Sequence, residues 1–208
     1  MKKLILGLCL VALASVCSAN ILVSTQGILN DPNGIFEQSF TYNPATQGGL
    51  IIIQTYGFGG SANGNIFTAT GRNLAGNIIS PGGFDPIVTL FAGAAGGGGA
   101  RIAFNDDGTC APRFGTADIS CFDATLVING LAAGTYTVAL SAFSNFAGAT
   151  ETTPFTGGGS FTEVGNGRVR TNQFAVDVAS VPEPMTFGLM GAGLLGLGLL
   201  RRRLKEVI

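Results

Sequence analysis

Thr135-Tyr136-Thr137-Val138-Ala139-Leu140-Ser141-Ala142-Phe143 decides the fold class of this chain. Tyr136, Val138, Leu140 and Ala142 take alternate positions, with Thr135, Thr137 and Ser141 between them. A period of two sends successive side chains to opposite faces, so the stretch predicts a strand covering a core with one face. Phe174, Val176 and Val178 alternate with Ala175 and Asp177 in the same way. Leu50 to Tyr56, Ile87 to Ala92, Arg101 to Phe104 and Ala124 to Ile128 read as further strands, and Phe36 to Tyr42 as an early one. Between them stand turn formers such as Asn33-Gly34, Pro81-Gly82-Gly83, Asp107-Gly108 and Asn129-Gly130. Ser144 to Gly167 offers no helix and reads as a long Gly/Thr/Ser loop or an irregular hairpin. Many short strands, glycine turns and no helical spacers predict an all-β domain, an antiparallel β-sandwich of jelly-roll type.

Both ends of the chain differ from this middle. Lys2 and Lys3 precede an apolar run, Leu4 to Ala14, and Cys17-Ser18-Ala19 then supplies small residues for signal peptidase. The reading is an N-terminal signal helix over residues 1–19, cut between Ala19 and Asn20. At the other end, Pro182-Glu183-Pro184 precedes the charge-free run Met185 to Leu200 and the basic cluster Arg201, Arg202, Arg203 and Lys205. A helix over that run spans about 24 Å, and flanking residues bring it within reach of a thin bilayer. The basic cluster stays cytoplasmic by the positive-inside rule, so everything ahead of the C-terminal transmembrane helix lies outside. A permanent single-pass anchor is the plainer alternative.

The Pro-Glu-Pro set against a glycine-rich run and an arginine cluster resembles the PEP-CTERM sorting signal of Gram-negative bacteria. That resemblance implies residues 181–208 as a sorting signal read by exosortase, a membrane protease. It also implies transit through the inner membrane, delivery to the cell surface or extracellular matrix, and association with exopolysaccharide and biofilm.

The exported portion, residues 20–180, carries five Arg, no Lys and ten Asp plus Glu, so its net charge is 5 − 10 = −5. A nucleic-acid partner needs a basic surface, and none is encoded here. Two cysteines remain after signal cleavage, Cys110 and Cys121. In an oxidising compartment they are expected to pair, closing a loop worth ~3 kcal/mol by chain entropy. A metal site or a catalytic thiol is the competing reading.

A second resemblance rests on Phe84-Asp85-Pro86-Ile87-Val88-Thr89-Leu90-Phe91, Asn105-Asp106-Asp107-Gly108, Asp123-Ala124-Thr125-Leu126 and Leu131 to Val138. That order is similar to bacterial pre-peptidase C-terminal domains, over roughly Gly49 to Asn145. It implies a jelly-roll accessory module and carries over no catalytic residue.

The chain has no histidine, which removes Ser-His-Asp and Cys-His machinery and every histidine-ligated metal. No G-x-S-x-G elbow or lysine-bearing phosphate loop occurs, and Gly57 to Ala62 reads as a turn. The candidate metal ligands are Asp85, Asp106, Asp107 and Asp123, whose loops could offer oxygen ligands to calcium. Asn-Asp-Asp-Gly is equally ordinary turn chemistry. The expectation is a non-enzymatic, single-domain, structural, adhesive or ligand-binding protein without a required cofactor. A secreted hydrolase using paired carboxylates on a polysaccharide is the alternative.

Overall fold

The computed structural model describes residues 19–58, 62–63, 66–67, 71–108, 121–163, 167–181 and 193. Among these, ten strands and one helical turn follow the chain. They are β1 (Asn20–Ile28), β2 (Ile35–Tyr42), α1 (Pro44–Gln47), β3 (Leu50–Tyr56), β4 (Ala62–Asn63), β5 (Ile66–Phe67), β6 (Pro86–Ala92), β7 (Arg101–Asn105), β8 (Thr125–Asn129), β9 (Gly134–Ala142) and β10 (Gln173–Val181). Residues Ala19–Val181 form one compact unit.

Eight strands make two four-stranded sheets, ordered β1-β10-β3-β8 and β2-β9-β6-β7, while β4 and β5 form a small hairpin. Every ladder is antiparallel. The pairing is nested: β1 with β10, β2 with β9, β3 with β8, and β6 with β7 at the centre. A long hairpin folded onto itself in this way is the jelly-roll path.

The side-chain period dictates the core between the sheets. Ile51 and Ile53 of β3 and Val176 and Val178 of β10 face Val88 and Leu90 of β6 and Val138 and Leu140 of β9. All eight are fully shielded from solvent, and each buried aliphatic side chain stabilises the fold by about 1.5–3 kcal/mol.

The outward faces depart from the one-sided strands predicted from the alternation. Thr137, Ala139 and Ser141 of β9 are buried too, as are Ala175 and Asp177 of β10. Residues 144–163 roof the β2-β9-β6-β7 sheet, packing Ala147 and Phe155 onto Phe91 and Ala139. Thr137 Oγ1 donates to the Gly93 carbonyl at 2.9 Å and Ser141 Oγ to that of Asn145 at 2.7 Å, so the buried hydroxyls are satisfied by this roof and its neighbouring loop. Residues 71–80 roof the other sheet, where Ile79 packs on Tyr56 and Ala175.

Strand β1 is a further departure, because the alternation did not predict it. Its register with β10 shifts between Ile21 and Val23, and such a bulge breaks the period that sequence reading relies on. No helix among the described residues is long and apolar enough to cross a membrane. The signal-helix reading over residues 1–19 and the transmembrane reading within 181–208 lie outside the described residues, apart from Ala19, Val181 and Gly193.

Candidate functional site

Two ends of the sandwich carry the residues singled out by the sequence. At the first, which we call the terminal pole, the two ends of the folded unit meet. β10 lies between β1 and β3, with Asn20 opposite Ser180 and Leu50 opposite Val181. One carbonyl joins them: Ser180 Oγ donates to Gln47 O at 2.8 Å, and Asn20 Nδ2 donates to the same oxygen at 3.1 Å.

The sequence fixes that carbonyl locally. Asn43 caps α1 by accepting from Ala45 N at 3.1 Å, Gln47 Oε1 reaches back to accept from Asn43 N at 2.6 Å, and Pro44 opens the turn. Reciprocal capping of this kind holds a short turn that helix propensity alone could not. Asn20, named above as the first residue after signal cleavage, thus begins β1. Pro182, Glu183 and Pro184 follow directly on β10, and they and the basic residues Arg201, Arg202, Arg203 and Lys205 lie outside the described residues.

The opposite end is the acidic pole. Asp85 precedes β6, Asp106 and Asp107 follow β7, and Asp123 precedes β8, so the fold brings all four candidate carboxylates to one end. Asp123 is fully buried and accepts from Phe58 N at 3.2 Å. Asp85 is half-buried, and its Oδ1 makes no hydrogen bond among the described residues. Burial, then the charges of Asp107, Asp106 and Asp123, raise the Asp85 carboxyl to about 7, against a weaker opposing pull from Arg170. Burial, then Asp106, also raises Asp107. Gly108 closes the turn where a side chain has no room: a Cβ there would stand 2.2 Å from the Asp123 carbonyl.

Arg170 supports this end from below. It stacks over Phe58 with its guanidinium carbon 3.6 Å from the ring centre, donates to Phe58 O at 3.0 Å, and pairs with Glu163 at 2.5 Å. Among the described residues no group of three or more carboxylate, cysteine or histidine side chains converges as a metal cage. Asp107, Asp106 and Asp123 each act on Asp85, so burial and their negative charge favour its protonated form.

Sequence reading missed a third cluster. Asp177, assigned by alternation to the same face as Ala175, is wholly buried under residues 71–80. Ser24 Oγ donates to its Oδ1 at 2.5 Å and Leu74 N to its Oδ2 at 2.8 Å, and the Tyr56 hydroxyl bonds to it as well. Burial raises the Asp177 carboxyl despite these donors, and burial together with Asp177 pushes the Tyr56 phenol far up. The available clue was composition: Ala175 and Ala179, its outward neighbours on β10, are small and apolar, unlike a solvated face.

Cys121, at the acidic pole, is disulfide-bonded, and its expected partner Cys110 lies outside the described residues.

Comparison with known proteins adds one match. Residues 180–203 match the family described as the PEP-CTERM protein-sorting motif. The match starts at Ser180, inside β10, and covers the Pro-Glu-Pro, the apolar run and the arginine cluster. The chain therefore carries a protein-sorting signal joined directly to a folded jelly roll. No curated protein matches the chain.

Proposed function

We propose that this chain is an exported protein of a Gram-negative bacterium, trimmed by signal peptidase at Ala19–Asn20 and processed by exosortase at its C-terminal tail. The observation that carries the reading is the sorting motif starting within the last strand of the sandwich. The working part is the jelly roll, akin to pre-peptidase C-terminal modules and closed by a Cys110–Cys121 disulfide. It serves as a non-enzymatic structural, adhesive or ligand-binding module of an exopolysaccharide matrix. A non-catalytic role is supported by the lack of histidine and by the state of Ser24. Its hydroxyl donates to Asp177 and accepts from Ala75 N at 3.2 Å, which leaves it engaged on both sides rather than poised as a nucleophile.

Intact-mass analysis of the protein recovered from the extracellular matrix fraction tests the reading. The expected species starts at Asn20 and lacks the apolar run and basic tail. Recovery of the full-length chain from the membrane alone would contradict it.

A further inference from the structure

The distance between fold and motif has a consequence for whatever processes the tail. Val181 is the last residue of β10 and is paired with Leu50. Glu183 stands two residues further on, so a fully extended chain carries it at most about 7 Å from the sheet. A protease that grips Pro182 to Pro184 as an extended peptide also covers residues on either side, through main-chain contacts. At Ser180 and Val181 those positions belong to a ladder, and β1 and β3 occupy both flanks.

We infer that the terminal pole of the jelly roll is a docking surface for the membrane-embedded sorting protease, which must touch this pole whenever it engages the Pro-Glu-Pro. The inference rests on the sorting reading given above. Three features of the pole fit such a contact. None of residues 19–22, 43–50, 92–100, 129–135 and 179–181 is charged, so the surface approaches a membrane-bound partner without desolvating an ion.

Two charged side chains near this end, Glu151 and Arg101, are engaged by backbone groups. Glu151 accepts from Gly98 N at 2.7 Å and from Gly96 N, and Arg101 donates to Ala147 O at 2.5 Å. Finally, a cleft of about 460 Å³ opens beside the start of β1, lined among others by Ile21, Phe40, Gln47 and Thr135. Because Gln47 O binds both Ser180 and Asn20, the cleft and the start of the motif are held in fixed relation.

Pulse-chase processing of the full chain in its own cells tests the surface. Thr46 and Asn129 are exposed at this pole. The pair Thr46→Glu and Asn129→Glu is expected to slow loss of the tail roughly threefold to tenfold, and the pair Thr46→Lys and Asn129→Lys to slow it similarly. Limited proteolysis of the membrane-bound precursor should show the sandwich intact in both. Inserting about ten Gly/Ser residues between Val181 and Pro182, with a mean span of about 18 Å, should restore processing of both pairs.

Unchanged processing of the charged pairs would overturn the inference, as would a linker that fails to restore them. Lysines that speed processing where glutamates slow it would also overturn it, by assigning the pole to anionic lipid. Failure of the underlying sorting reading shows separately, as normal release of a chain in which Pro182, Glu183 and Pro184 are alanine.

Discussion

Asp85 and Asp177 are both carboxyls that the fold makes harder to ionise, but by different means. Asp85 shares its end of the sandwich with three other acids, and burial adds to their repulsion. An aspartate carboxyl in the unfolded chain titrates near 3.8, whereas Asp85 in the fold titrates at about 7. Proton binding therefore favours the folded state: the contribution is fully present below 3.8 and is lost as pH rises through 7. The folded unit should melt at a lower temperature at about pH 8 than at about pH 5. Asp85→Asn should flatten that slope, only in part because Asp177 is shifted in the same direction. A melting temperature that climbs over this range, or a slope untouched by Asp85→Asn, would contradict the assignment.

Asp177 is instead surrounded by donors. Asp177→Ala leaves the Ser24 and Tyr56 hydroxyls and Leu74 N–H without their acceptor. The loss is expected to cost about 2–3 kcal/mol, a fall in melting temperature of roughly 5–10 °C for a domain of this size. Thermal unfolding followed by circular dichroism measures it, and an unchanged midpoint would show that the cluster holds nothing together.

Among the elements, the two roofs distinguish this sandwich from a bare pair of sheets. The 71–80 segment is anchored by Ile79 on Tyr56 and Ala175 and by its backbone donors on Asp177 and Ser24. Ile79→Ala empties a buried site and should destabilise by about 2–4 kcal/mol. Hydrogen exchange of residues 71–80 should quicken first while β3 and β10 stay protected, since local opening precedes global unfolding. Uniform loss of protection across the molecule would contradict the description of this segment as a separate roof.

These elements also show where sequence reading reached its limit. Strands β2, β3, β6, β7, β8, β9 and β10 were legible because their alternation or apolar density is local. β1 was hidden by its bulge. The burial of Thr137, Ser141 and Asp177 was hidden because it depends on segments distant in sequence coming to lie over the sheets. For the same reason Asp85, Asp106, Asp107 and Asp123 could be guessed to share one end, while Ser24, Tyr56 and Asp177 could not be grouped. Their partnership is made by the β1-β10-β3 ladder and leaves no mark in spacing.

For the folded unit as a whole, the jelly-roll path accounts for the placement of its first and last strands. In a nested hairpin the first and last strands pair, so the start of β1 and the end of β10 are brought to one pole. The loops bearing Asp85, Asp106, Asp107 and Asp123 fall at the other. Asn20 and Val181, at the two ends of the folded unit, thus lie at one pole and the acidic loops at the other. The sorting motif over residues 180–203 was readable from sequence because its pattern of Pro-Glu-Pro, apolar run and arginines is local and linear.

Replacing Pro182, Glu183 and Pro184 together with alanine, then following the protein by fractionation, tests the central claim most directly. The account predicts an uncleaved chain retained in the inner membrane with its sandwich folded. Normal release of the trimmed form would contradict it.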